Sequence, residues 1–289
     1  MSDSGTSVAI KEIEADLITK EVKRLVMEAN YFLPEDVVES LEKSRDEEDW
    51  DLAAGTIDKI IKNAKIARDN KVPMCQDTGM VVVFVEIGQD VHVVNGYLED
   101  AINQGIREGY EEGYLRKSVV KDPLDRVNTK DNTPGIFHYD IVPGDKLSIT
   151  VAPKGFGSEN MSRIKMLKPA EGLEGVKEFI LESVEMAGPN PCPPTIVGVG
   201  IGGTFEKAAF LAKKALMRDM DEYSEDPFYE ELEKELLEDI NKLGIGPQGF
   251  GGKTTAFKVN IDHYPTHIAG LPVAVNINCH AARHKQVIL

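Results

Sequence analysis

The chain has 289 residues, of which 42% are hydrophobic and 28% are charged, and its net charge is −16. These values are ordinary for a globular protein with a sizeable core, and the negative charge argues against broad binding to nucleic acid or to an anionic membrane surface. No apolar stretch is long enough to span a bilayer, and residues 1–10 lack the pattern of a signal peptide. Because the chain contains an odd number of cysteines, three, we expect reduced thiols in the cytoplasm and no disulfide framework.

Helices are predicted for the N-terminal third of the chain. Apolar residues recur at helical spacing over residues 8–70, and Pro34 suits the first turn of a second helix. The charged run from Glu42 to Asp51 is interpreted as a solvated connection between the second and third helices. We therefore expect residues 1–70 to form a helical region.

Helices and strands alternate after residue 70, which predicts a mixed α/β fold with small mixed sheets over residues 71–289. We expect this part and the helical region to form one compact domain. Strands are predicted over residues 80–85, 91–94, 137–142, 147–152, 195–201, 256–262 and 273–278, and helices over 98–114, 176–187, 204–220 and 226–242.

The three cysteines, Cys75, Cys192 and Cys279, all fall in predicted loops or at strand ends. Two of them are bracketed by proline or glycine, which fix the direction of the backbone. Structural cysteines usually behave as small hydrophobic residues within core helices and strands, whereas binding sites are built on rigid loops. The setting of the cysteines therefore favours a metal site over a role in the core.

Two kinds of metal site fit three thiolates. Zinc bound by three cysteines and either His267 or His280 is one, although structural zinc sites favour closely spaced cysteine pairs and the separations here are 117 and 87 residues. An iron–sulfur cluster is the other. Such clusters normally take four cysteines, so three would leave one iron open to act as a Lewis acid on a hydroxyl leaving group.

Three glycine-rich segments are candidates for ligand binding. The string Gly198–Gly203 matches a dinucleotide-binding pattern but lacks the acidic residue expected about 20 positions later, so we predict a tight strand-to-helix turn with Thr204 as N-cap. The segment Pro247–Thr254 imitates the end of a phosphate loop but precedes a strand, which argues against nucleotide binding. The segment Lys154–Asn160 is rich in backbone donors and is either a carboxylate-binding nest or a plain loop.

A few charged or polar side chains are candidates for contact with a ligand. Gln76 and Asp77 directly follow Cys75, so a metal there would have both as neighbours. Arg116 has the forked guanidinium that suits a carboxylate, although a solvated surface arginine is the default interpretation. His267 precedes Cys279 by 12 residues, and a lone histidine is more often structural.

Taken together, these segments resemble the class I, iron–sulfur-dependent fumarases and tartrate dehydratases. The resemblance runs from about residue 10 to the end of the chain, and His267 and Cys279 keep the spacing found in that family. The matching motifs occur in order: Cys75–Gly79, Asn128–Pro134, Lys154–Asn160, Cys192–Pro194, Gly202–Thr204 and Gly251–Lys253.

The resemblance implies a cofactor and a set of site residues. Cys75, Cys192 and Cys279 would ligate three irons of a [4Fe–4S] cluster, and the open fourth iron would bind the hydroxyl and one carboxylate of the substrate. Asp77 would be catalytic, with a part in proton transfer. The substrate, a small dicarboxylate, would be contacted by Gln76, Arg116, His267 and the backbone of Gly155 and Gly157. Phe156 stands where some relatives carry glycine, so we expect backbone donation there only with a negative φ.

The same resemblance implies a reaction and a partner. The reaction would be the reversible dehydration of (S)-malate to fumarate, a step of the tricarboxylic acid cycle, with L-tartrate dehydration as the near alternative and a zinc-stabilised structural or binding subunit as the alternative from another class. Single-chain relatives continue into a second lobe that supplies the catalytic base, whereas this sequence ends ten residues after Cys279. It therefore resembles the α subunit of the two-subunit form, and we expect a β subunit in an α2β2 assembly.

Overall fold

A computed structural model describes residues 10–289, so the predicted lack of a signal peptide over residues 1–10 falls, except for Ile10, outside the described part of the chain. None of the helices in that part is long and apolar enough to cross a membrane. The chain divides into two compact units, each built from separate segments. Unit 1 contains the described residues up to Phe32, Asn70–Lys154 and Arg283–Leu289, and unit 2 contains Leu33–Asp69 and Gly155–Ala282.

The regular elements alternate along most of the chain. The strands are β1 (Lys11–Glu14), β2 (Met80–Gly88), β3 (Val91–Val94), β4 (Ile136–Val142), β5 (Leu147–Lys154), β6 (Arg163–Leu167), β7 (Thr195–Gly202), β8 (Ala256–Tyr264), β9 (Leu271–Asn278) and β10 (Lys285–Ile288). The helices are α1 (Ala15–Tyr31), α2 (Glu35–Glu47), α3 (Asp51–Asn70), α4 (Leu98–Glu112), α5 (Phe156–Glu159), α6 (Gly172–Ala187), α7 (Phe205–Ala215) and α8 (Pro227–Lys242).

Unit 1 packs α1 and α4 against a four-stranded sheet of order β10-β5-β2-β4. Strand β2 lies between β4, to which it is parallel, and β5, to which it is antiparallel. Its residues Val81, Val83 and Val85 point to one face because side chains alternate along a strand, and they are buried in the same core as Val22 and Val26 of α1. The loop that bears Cys75 leads directly into this central strand.

Unit 2 contains a second four-stranded sheet of order β6-β9-β7-β8. Strand β7 is parallel to β8 and antiparallel to β9, and every residue of β7 is buried. Helix α7 lies so close to β7 that a Cβ atom at Gly198 or Gly200 would come within 2.1 Å of a helix carbonyl oxygen. The dinucleotide-like glycines are thus required by helix–strand packing, which agrees with the predicted strand-to-helix turn.

The predicted mixed α/β fold is confirmed, and two predictions in the N-terminal third are wrong. Residues 11–14 form β1 and not a helix, because Ile13 alone of the four is buried and the segment pairs with β3. The charged run from residue 42 is not a solvated connection, since α2 continues to Glu47 and Ser44 and Glu48 are buried. The Glu48 carboxylate accepts the backbone N–H groups of Trp50 and Lys253, which satisfies its charge.

Later in the chain, α7 ends at Ala215 and not at residue 220. The chain turns there so that the Arg218 guanidinium reaches Glu233 at 2.8 Å and Asp262 at 3.3 Å, and Glu233 is almost fully buried. The short strands β6 and β10 were not predicted. The predicted regions over residues 1–70 and 71–289, joined in one compact domain, stay a prediction.

Candidate functional site

The loop Cys75–Gly79 of unit 1 folds tightly around the first cysteine. The backbone N–H of Asp77 donates to the Cys75 sulfur at 3.4 Å, and a carboxylate oxygen of Asp77 accepts the N–H of Gly79 at 3.0 Å. An N–H group directed at sulfur stabilises a thiolate, and such bonds also tune the iron–sulfur clusters that thiolates hold. The Cys75 side chain is free and half-buried.

Gly79 ends this loop in a conformation that other residues rarely adopt, with φ of +79°. A Cβ atom at this position would also lie 2.7 to 2.9 Å from backbone atoms of Lys154. The close approach joins the end of the cysteine loop to the end of β5. It explains on physical grounds why the motif finishes with glycine.

Unit 1 also connects Arg116 to the cysteine loop. The hydroxyl of Thr78 donates to the carbonyl oxygen of Arg116 at 2.9 Å. Asp77 is half-buried, and Gln76 and Arg116 are exposed. Three predicted substrate-contacting or catalytic residues, Gln76, Asp77 and Arg116, are thus carried by two backbone segments that touch each other.

In unit 2, Cys192 and Cys279 lie at the same end of one sheet. Cys192 comes shortly before β7 and Cys279 directly after β9, and these antiparallel strands pair Ile196 with Asn278 at that end. His280 joins the two loops. Its backbone N–H donates to the Cys192 carbonyl oxygen at 3.4 Å, and its Nδ1 atom lies 2.9 Å from the same oxygen.

Cys192 is held in a left-handed conformation, with φ of +57°, which is uncommon for a residue with a side chain. Gln248 fixes the next residue, because both its backbone N–H and its side-chain amide donate to the Pro193 carbonyl oxygen, at 2.8 and 2.9 Å. The glycine-rich segment Pro247–Thr254 therefore supports a cysteine loop, in line with the argument against nucleotide binding.

Within the segment Lys154–Asn160, Phe156–Glu159 form a single helical turn, α5, directly after the end of β5. Gly155 has φ of −71°, and Phe156 is not among the residues with positive φ, so the phenylalanine is compatible with this backbone. A Cβ atom at Gly157 would make only an ordinary contact, 3.5 Å from the Asn190 carbonyl oxygen. Gly157 thus lies beside the segment that leads into Cys192.

His267 lies far from the cysteines of its own unit. It occupies the loop before β9, whereas Cys279 follows β9, and Thr266 in that loop donates to the carbonyl oxygen of Gly203 just after β7. The eight residues of β9 extend over about 26 Å at the usual rise of a strand. His267 and the pair Cys192 and Cys279 therefore stand at opposite ends of the sheet.

Two residues next to the cysteines were missed as structural partners by sequence reasoning. The sequence suggests His280 only as a zinc ligand, and no local pattern indicates the contact that Gln248 makes with Pro193. Within residues 10–289, no three or more His, Cys, Asp or Glu side chains are gathered so that they could hold a metal ion. The ligand roles of the three cysteines and the contacts of the other site residues stay predictions.

Comparison with known proteins identifies the family. The model of the family described as fumarate hydratase (Fumerase) matches residues 19–288. The chain is 45% identical to a putative L(+)-tartrate dehydratase subunit alpha of Methanocaldococcus jannaschii, over 92% of this chain and 95% of that protein. It is 35% identical to the L(+)-tartrate dehydratase subunit alpha of Escherichia coli strain UTI89, over 98% and 92%. The chain belongs to the fumarate hydratase (Fumerase) family.

Proposed function

We propose that this chain is the α subunit of an iron–sulfur hydro-lyase that acts on a small hydroxydicarboxylate in the cytoplasm. The observation that carries the proposal is that three free cysteines lie on loops, with Gln76 and Asp77 beside the first of them. The family match supports a lyase, and free thiols suit a reducing compartment.

The donor chemistry of the residues fits a [4Fe–4S] cluster. Cys75 already receives an N–H donor at its sulfur, and the backbone at Cys192 is fixed by His280 and Gln248. We propose Cys75, Cys192 and Cys279 as the three ligands. When bound, such a cluster supplies an open iron as a Lewis acid for departure of the substrate hydroxyl.

The chain's own residues would bind and orient the substrate. We propose that the Arg116 guanidinium and the Gln76 amide hold carboxylate groups, with backbone donors of Gly155 and Gly157 assisting. Asp77 would take part in proton transfer, since its carboxylate is half-buried and next to the first ligand. The base that removes the C3 proton is expected from a β subunit, in agreement with the alpha-subunit names of the relatives.

The position of His267 bears on the assembly. Because it stands at the opposite end of β9 from Cys279, it would reach a substrate at the cysteines of another copy and not at its own. The proposed α2β2 assembly contains two copies of this chain and is thus compatible with a substrate contact by His267. The location supports a composite site and not one built by a single chain.

Two substrates are candidates for this site. The family description favours (S)-malate and fumarate, in a step of the tricarboxylic acid cycle, whereas the names of the relatives favour L(+)-tartrate. Tartrate carries one more hydroxyl group than malate. Steady-state assays of the chain combined with its β subunit, comparing kcat/KM for both substrates, would decide between them.

Anaerobic reconstitution with iron and sulfide tests the cofactor. We expect about four irons per chain, visible absorbance and an EPR signal after one-electron reduction. A stable zinc site with no cluster under these conditions would contradict the proposal and favour the zinc-stabilised subunit.

Asp77→Asn tests the catalytic role. Asparagine keeps the oxygen that accepts the Gly79 N–H, so we expect normal iron content with kcat at least about a hundredfold lower. Turnover at the wild-type rate would remove Asp77 from the mechanism.

A further inference from the structure

Three consecutive carbonyl oxygens of the first cysteine loop each receive a hydrogen bond from a buried side chain. Arg283 donates through Nη2 to Asp77 at 2.5 Å, the Tyr110 hydroxyl donates to Thr78 at 2.6 Å, and the Asn132 amide donates to Gly79 at 3.1 Å. We call these three donors, Arg283, Tyr110 and Asn132, the carbonyl clamp. All of them belong to unit 1.

The donors come from three separate parts of the chain. Tyr110 is on α4, Asn132 is in the Asn128–Pro134 motif and Arg283 precedes β10. Both Tyr110 and Asn132 are completely buried. Asn132 also accepts the backbone N–H groups of Ser118 and Val119, so the same side chain ties the Arg116 segment to the cysteine loop.

Arg283 is the least expected member of the clamp. Its side chain is only 5% exposed, and its buried Nε atom has no hydrogen-bond partner among the described residues. Burying a cation is costly unless its interactions compensate, and the hydrogen bond that this cation makes goes to the Asp77 main chain. Hydrogen bonds from a charged donor are shorter and stronger than neutral ones. An apolar side chain at this position would fill the core without the free-energy cost of burying a charge, so the arginine indicates a role beyond packing.

We infer that Arg283, together with Tyr110 and Asn132, is a positioning residue that fixes Gln76 and Asp77 relative to Cys75. The inference rests on the proposed function for its catalytic consequence but not for the clamp itself. None of the three side chains needs to contact substrate, since they act through the main chain. Catalytic groups lose much of their effect when they are displaced by about 1 Å, so a buried clamp on the loop would be reflected in turnover.

The first test uses the full chain without cluster and is independent of activity. Hydrogen exchange of the peptide spanning residues 74–80 is compared between wild type and Arg283→Met, Arg283→Lys and Tyr110→Phe. We expect exchange at least about tenfold faster in Arg283→Met and in Tyr110→Phe, with Arg283→Lys in between because a charged donor is retained. Unchanged exchange in the Met and Phe variants would overturn the clamp.

Matched controls exist in the same unit. Arg126→Met removes an exposed arginine that donates to the Pro123 carbonyl oxygen, and Tyr139→Phe removes a hydroxyl that donates to Glu99 at the surface. Neither change is expected to alter exchange over residues 74–80. Tyr110→Phe deletes one oxygen atom, so it decides the question if Arg283→Met does not fold.

The second test measures kcat per cluster in the reconstituted complex with the β subunit. For Arg283→Met we expect kcat per cluster to fall at least about tenfold, with partial recovery in Arg283→Lys. A merely structural role would lower the yield of folded protein and leave kcat per cluster at the wild-type value, which would overturn the positioning role. If the wild-type complex itself hydrates no dicarboxylate, the proposed function fails, and the exchange experiment still decides the clamp.

Discussion

The Nδ1 atom of His280 lies 2.9 Å from the carbonyl oxygen of Cys192. His280 directly follows Cys279 in the chain. It thereby holds the backbone of Cys192, which precedes Cys279 by 87 positions. A carbonyl oxygen only accepts, so this contact is a hydrogen bond in the tautomer that carries the proton on Nδ1, and the Gln248 amide nitrogen lies 3.2 Å from the same ring atom. His280 therefore holds the loops of Cys192 and Cys279 together at this end of the sheet.

The strained backbone at Cys192 gives a stability prediction. In the cluster-free chain, Cys192→Gly should be more stable than Cys192→Ala, by about 1 kcal/mol, because glycine adopts the left-handed conformation without strain. At Cys279, where φ is not positive, the order should reverse, with Ala more stable than Gly. Urea unfolding of the four variants measures both differences, and the same order at both positions would argue against strain at Cys192.

Gly79→Ala should destabilise unit 1 by about 2 to 4 kcal/mol, because it combines a left-handed conformation with overlap against the Lys154 backbone. Gly144→Ala is the matched control in the same unit. Its φ is also positive, but a Cβ atom there meets nothing within 4 Å. Urea unfolding measures the loss of stability of each variant from its midpoint, provided that the m-values are equal. An equal loss of stability at Gly79 and Gly144 would show that the overlap with Lys154 relaxes without cost.

His267 can be tested by mixing two inactive variants. We expect His267→Ala and Cys279→Ala complexes each to have little activity. If His267 serves another copy's site, one of the two sites in each mixed complex should contain both native residues, and the purified mixed complex should have about half of wild-type activity. Differently tagged copies allow the mixed complex to be purified and assayed. If a verified mixed complex stays inactive, His267 of one copy does not serve the site of another copy.

Lys258 predicts a pH dependence of stability. Burial lowers its pKa from 10.5 to about 8, and its Nζ atom lies over the Tyr223 ring and donates to Met220. Between pH 8 and 10.5 the unfolded chain then binds more protons than the folded one, so the destabilisation present below pH 8 is relieved as the pH rises.

The free energy of unfolding of wild type should therefore rise relative to Lys258→Met over that window, by at most about 1.4 kcal/mol per pH unit. Denaturant unfolding at several pH values measures the curves, and parallel curves for wild type and Lys258→Met would contradict a lowered pKa.

Much of the fold follows from local patterns. The periodic segments of α1, α4, α6 and α8 and the β-branched run of β2 are predicted because their apolar spacing directly reflects a buried face. The strand β1 is not, since four residues carry too little pattern and its position depends on pairing with β3. The end of α7 is set by Arg218 reaching Glu233, which is a tertiary contact with no local sign.

The residues around the candidate site are likewise only partly predictable from local sequence. Gln76 and Asp77 are identified because they adjoin Cys75, whereas Arg283 is 206 residues from Asp77 and no local pattern connects them. His267 shows the opposite error, in which closeness in sequence suggests closeness in space. The strand predicted over residues 273–278 already separates His267 from Cys279, and the length of a strand alone argues that the two residues lie at different ends.

The hydrogen bond between Arg283 and Asp77 also bears on the order of events during synthesis. All three cysteines leave the ribosome before Arg283 does, because each precedes it in the chain. The loop that bears Cys75 therefore gains its arginine anchor only after the third thiol is already outside. A chain cleaved between Cys279 and Arg283 would keep every proposed ligand and lose that anchor.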